Sequence, residues 1–185
     1  MAPRIILLGI DHRFQKDDAT GNFRTMLLTV LSGSQVDLIC EEATPDVSTV
    51  ARQTAGELGK PWVGVDMSTE ERIRAGIQDE LSKPRWYPFC KDGVWVARSF
   101  YYPHAYGIRE EYWISRVLRP GIESYLVICG AMHFDPLAGK FRQKGCVVEG
   151  INVCAQEWYV NRFGPLHIFE ENGERWSEQR LDVEP

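Results

Sequence analysis

The chain has 185 residues, of which 44% are hydrophobic and 25% charged, and it carries a formal charge of −5. That length fits one domain with a substantial core, and the composition is that of an ordinary globular protein. The acidic balance, with Arg and Lys scattered along the chain, excludes nucleic acid as the expected partner, because phosphate binding needs clustered positive charge. Five cysteines, an odd number with no Cys-x-x-Cys pair, point to free thiols and a reducing, cytoplasmic setting. No apolar stretch is long enough to span a bilayer, so no membrane association is expected.

Ile5 to Leu8 is a continuous apolar run, the pattern of a strand covered on both faces; it is too short for the core of a signal peptide. Phe23, Met26, Leu27, Val30 and Leu31 form one helical stripe, with Asn22 as its cap. Val36 to Cys40 reads as a second strand ending at Glu41 and Glu42. Val47 to Leu58 suits a helix stopped by Gly59, and Trp62 to Val65 a third strand. Ser68 with Glu71 fits a capping box for a helix reaching about Leu81.

Lys83 to Tyr106 breaks the rhythm. It is rich in aromatic residues, among them Trp86, Tyr87, Phe89, Trp95, Phe100, Tyr101 and Tyr102. Two readings stay open: a long ordered loop acting as a lid, or a satellite cluster of core aromatics. Ile108 to Leu118 is then helical, Tyr125 to Cys129 a strand, Phe134 to Lys144 a helix closed by Gly145, and Cys146 to Glu149 the last strand. From residue 165 the tail reads as a hairpin turning at Asn172-Gly173. Strands alternating with helices predict an α/β fold: a mostly parallel central sheet flanked by helices, with a C-terminal β-hairpin extension. Residues 1–164 form the domain and residues 165–185 the hairpin packed on it.

One signature occurs twice. Ile5 to Leu8 runs into Gly9-Ile10-Asp11-His12, and Tyr125 to Cys129 runs into Gly130-Ala131-Met132-His133. In open parallel sheets ligands bind beyond the carboxyl ends of the strands. His12, His133 and the Glu41-Glu42 pair should all reach that edge. Two imidazoles and a carboxylate suit a divalent metal such as zinc, manganese or cobalt, and equally suit metal-free acid–base work. Neighbouring side chains on an extended strand point to opposite faces, and Glu41 is taken as the inward one. Arg109 opens the predicted helix, where it would bind a substrate carboxylate or a developing oxyanion, or else pair with a nearby Glu; Glu110 and Glu111 are accounted for by the helix dipole. Asp11 and Asp66 read equally as helix caps or as site members.

The order of these motifs resembles the TraB/Tiki superfamily, which includes erythromycin-esterase-like and ChaN-like proteins. The matching residues are Gly9 to His12, Glu41-Glu42, Arg109 with Trp113, and Gly130 to His133, within residues 4–150. The resemblance implies an α/β fold whose motifs converge on one pocket. In some branches it implies a hydrolytic site: metal-dependent peptidases related to Tiki, and esterases acting on macrolides. By the same resemblance His12, His133 and one glutamate, read here as Glu41, hold a metal; the other glutamate activates water, and Arg109 binds charge on the substrate. The expectation is therefore a hydrolase of amide or ester bonds with a small-molecule or peptide substrate. The alternatives are a non-catalytic module that stacks a planar ligand such as haem on the aromatic stretch, and a protein-interaction module using the hairpin edge.

Overall fold

The computed structural model describes residues 2–83 and 86–181. Met1, Pro84 and Arg85 of the aromatic stretch and the last four residues of the tail lie outside that description. In chain order the elements are β1 (Arg4–Ile10), α1 (Arg13–Lys16), α2 (Asn22–Gly33), β2 (Leu38–Glu41), α3 (Val50–Glu57), β3 (Trp62–Gly64), α4 (Thr69–Arg74), α5 (Gln78–Leu81), β4 (Trp86–Lys91), β5 (Val94–Tyr101), α6 (Pro103–Val117), β6 (Ser124–Gly130), α7 (Phe134–Gln143), β7 (Val147–Asn152), α8 (Glu157–Phe163), β8 (His167–Glu171) and β9 (Glu174–Arg180).

The expected α/β architecture is present. Five parallel strands form a sheet in the order β3-β2-β6-β1-β7. β1 and β6 are central, and nearly every residue in them is buried, which is why both read as unbroken apolar runs. Successive residues feed opposite layers. Ile6, Leu8 and Ile10 pack with Phe23, Leu27 and Tyr159; Ile5 and Leu7 pack with Trp113, Leu137 and Phe141 on the other side. Among the described residues no helix is long and apolar enough to cross a membrane.

The second sheet is antiparallel, in the order β4-β5-β9-β8. The expected C-terminal hairpin is half of it: Asn172 and Gly173 have φ of 51° and 80°, the left-handed pair that a two-residue hairpin turn needs. The aromatic stretch corrects the reading of a long loop. It is a second hairpin, turned by Asp92 and Gly93 with φ of 52° and 77°, and its second strand joins β9.

Helix boundaries also differ from expectation, α3 starting at Val50 behind its Thr49 cap rather than at Val47. Asn22 lies inside α2; Gly21 occupies the cap position, and the Asp18 carboxylate accepts the Arg24 amide at 2.7 Å. The capping box of Ser68 and Glu71 is present, but Gly76, at φ 70°, splits the expected helix into α4 and α5. α6 begins at Pro103, five residues before the expected start, with proline in its first turn.

Candidate active site

The site lies beyond the carboxyl ends of β1, β2 and β6. β1 and β6 run side by side, with Ile10 opposite Gly130, so the two Gly-x-x-His turns leave the sheet as neighbours. They interlock through their glycines. A Cβ on Gly130 would collide with His12 Nε2, so the second signature's glycine makes room for the first signature's histidine. In return, a Cβ on Gly9 would lie 2.8 Å from Phe134 Cδ2, and Phe134 directly follows His133. Both histidines and Glu42 line one cleft of about 510 Å³, whose far wall includes Ser99, Ser177 and Gln179 of the second sheet.

Glu42, not Glu41, faces this cleft, which corrects the expected orientation. Glu41 shares its side of the sheet with Ile39 and is turned beneath α3. It accepts from the Thr49 hydroxyl at 2.6 Å, the Trp62 indole at 2.9 Å and the Gln15 amide at 3.3 Å. Burial pushes its carboxyl above the ordinary value, against the lowering effect of those hydrogen bonds. Glu42 falls on the side of Cys40, where α6 packs. One oxygen accepts from Arg109 Nη2 at 2.9 Å and the other from the Gly130 amide at 2.7 Å. Burial raises its carboxyl, but His133, His12, Arg109 and that amide outweigh burial and hold it well below the ordinary carboxylate range.

The histidines stand on either side of Glu42. His12 Nε2 is 3.8 Å from Oε2, and His133 Nε2 is 3.7 Å from Oε1. The Nδ1 atoms are engaged behind them, at 2.6 Å from Gln15 Oε1 for His12 and 2.7 Å from Glu110 Oε1 for His133. The His133 ring lies against Tyr101, Tyr106 and Trp113, at centroid distances of 5.7, 4.6 and 4.7 Å.

Arg109 is buried and fully engaged. Besides Glu42 it donates to both oxygens of Asp66, at 3.2 and 2.9 Å, and its guanidinium sits 4.8 Å over Trp113. Burial disfavours its charge, but Glu42 and Asp66 hold it more firmly protonated than an ordinary arginine. Of its expected roles, the structure therefore supports the ion pair. Asp66 also accepts from Trp113 Nε1 at 3.0 Å and Arg72 at 2.6 Å, which ties it to the site's base. Asp11 instead binds the Arg13 backbone and guanidinium and the Tyr159 hydroxyl.

Glu110 is the residue that sequence reasoning missed. α6 begins seven residues earlier, so the dipole argument for its first turn does not apply to it. It is fully buried and accepts from Tyr101 at 2.9 Å as well as facing His133, with Lys140 3.2 Å from its other oxygen. Burial and the Glu110 carboxylate push the Tyr101 phenol upward, so it stays a donor. A signal was available: Tyr106, Arg109, Glu110, Trp113 and Val117 recur at helical spacing on one face.

The expected metal ligands do not assemble as read. Glu41 is turned away, and Glu42 stands between the histidines in its place, one oxygen accepting from Arg109 and the other from the Gly130 amide. Among the described residues no group of three or more His, Cys, Asp or Glu side chains is placed to hold a metal ion. In comparisons with known proteins the chain matches no family model, no curated protein and no solved structure.

Proposed function

We propose that this protein is a hydrolase of amide or ester bonds that works by acid–base chemistry at His12, Glu42 and His133. The observation that carries this reading is the pair of imidazole Nε2 atoms flanking one buried carboxylate at 3.7 and 3.8 Å. Those distances are too long for a direct hydrogen bond and suit a small polar molecule bound by all three groups. A water held there has two bases beside it. His133 accepts its proton, and the Glu110 carboxylate behind Nδ1 stabilises the imidazolium that forms. His12, with its side chain 58% exposed, is the group that an incoming substrate meets, and its Nε2 accepts from that substrate or from the water. The proton that His133 takes from the water passes from His133 Nε2 to the leaving atom. Arg109 holds the Glu42 carboxylate between them.

The cleft is of a size for a small molecule or a short stretch of peptide. The resemblance to the TraB/Tiki superfamily supports the same reaction class, since its hydrolytic branches cleave such bonds.

The test is turnover of a panel of neutral ester and amide probes by the wild type, His12→Ala and His133→Ala. Each substitution is expected to lower the rate at least about 100-fold, as loss of a positioned acid or base does. Unchanged turnover in both variants would refute the proposal, as would no turnover of any probe by the wild type. Activity should survive a chelator. Loss with chelator and recovery with zinc, manganese or cobalt would replace the acid–base route with a metal-assisted one.

A further inference from the structure

Glu41 and Gln15 lie behind His12 in an arrangement that the catalytic reading does not use. Gln15 is buried and its amide touches three groups. Nε2 lies 3.3 Å from Glu41 Oε1 and 3.0 Å from the Glu42 main-chain carbonyl, while Oε1 lies 2.6 Å from His12 Nδ1. A carbonyl can only accept. The Thr49 hydroxyl and the Trp62 indole both donate to Glu41 Oε2, and Glu41 Oε1 is the atom that faces the Gln15 amide. The carbonyl demands the NH2 end of the amide. The opposite orientation would bring the amide oxygen against the carbonyl oxygen. Gln15 Oε1 is thereby committed to face the ring, and because it can only accept, the ring must donate from Nδ1.

We infer that Gln15, oriented by the Glu42 main-chain carbonyl, is a positioning residue that holds neutral His12 as the Nδ1–H tautomer, with Nε2 open to the cleft as an acceptor. His133 receives the same constraint directly from the Glu110 carboxylate; His12 receives it at one remove, through a neutral amide whose direction the Glu42 carbonyl sets. Outer partners of this kind fix which ring nitrogen is free to act. The importance of the tautomer for turnover rests on the proposed hydrolase reading, but the tautomer itself does not.

The experiment is nitrogen NMR of the full chain labelled with 15N-histidine, recorded about two units above the ordinary imidazole pKa of about 6.5. The His12 signals are identified by their loss in His12→Ala. The wild type should show a protonated Nδ1 and a bare Nε2 at His12. In Glu41→Gln the Glu42 carbonyl still holds the Gln15 amide, so the His12 pattern should stay that of the wild type. Gln15→Met, which keeps the bulk and removes the acceptor, should shift it toward a mixture of tautomers. A merely structural role would move none of these signals in variants whose circular dichroism is native. The inference is overturned if wild-type His12 is protonated on Nε2, or if Gln15→Met keeps the wild-type pattern. Should the variants fail to fold, the wild-type spectrum alone decides between the tautomers. Absent turnover with the expected spectra would sink the hydrolase reading and leave the positioning role standing.

Discussion

The two Gly-x-x-His turns share a sequence pattern and a position at the sheet edge, yet they end in opposite environments. His12 stands at the cleft mouth with 58% of its side chain exposed, ahead of the short helix α1 and backed by an amide. His133 retains 4%, sealed by three aromatic rings and backed by a buried carboxylate. What separates them is α6, which lays Tyr106, Arg109, Glu110 and Trp113 over the second turn. The glycines diverge in the same way. Gly130 leaves space for a functional ring, whereas Gly9 leaves space for Phe134, a packing residue that also lies over Gly150 of β7. A shared signature sets how the chain leaves a strand; the neighbouring helix decides what the histidine there can do.

The largest expected effect comes from removing what both turns stand on. Arg109→Met leaves Glu42 and Asp66 buried without their shared cation, and urea unfolding should show a loss on the order of 3–5 kcal/mol. A loss under about 1 kcal/mol would mean that the two histidines do not depend on a common base.

The glycines sharpen the contrast. Gly9→Ala drives a Cβ to 2.8–2.9 Å from Phe134, which is anchored at the start of α7, and should cost about 1–3 kcal/mol while the folded fraction keeps its turnover per molecule. Gly130→Ala meets the His12 ring, which is half exposed and can swing aside. Stability should then stay within about 1 kcal/mol of the wild type and turnover should fall. The reverse pattern would break the comparison.

The smallest effect lies away from both turns. Burial raises the Glu178 carboxyl, but Arg98 and Lys91 outweigh it and hold the group below its ordinary value of 4.5. Its contribution is therefore complete above that pH and fades as pH falls further. Glu178→Gln should flatten the acid side of the stability curve by under about 1 kcal/mol, measured as urea midpoints across pH 3–6, because the Arg98 partner is partly exposed.

Much of the fold was legible because local signals agreed with tertiary structure. The runs at Ile5 and Tyr125 are apolar on both faces because helices cover both faces. The Ser68–Glu71 capping box and the Asn172-Gly173 turn form as read, since each is satisfied within a few residues. The second sheet was half missed. Asp92-Gly93 carries the same turn signal as Asn172-Gly173, but the aromatic residues around it lack a clean alternation, and the strands are only partly buried. At the site, the convergence of His12, His133, Arg109 and one glutamate could be anticipated from strand order. Which glutamate faces the cleft could not, because Glu41 and Glu42 differ only in the side of the sheet on which α6 packs.

By itself the sequence determined the strands, the paired turns and their common edge, because apolar periodicity and glycine positions act over a few residues. Only the tertiary structure decided that Glu42 is the inward carboxylate, that Arg109 is held by two acids, and that Glu110 rather than a first-turn dipole accounts for a buried charge. Those assignments depend on contacts between segments 23 to 88 residues apart, where burial and the demand of each buried polar group for a partner choose among orientations that the local chain leaves equal.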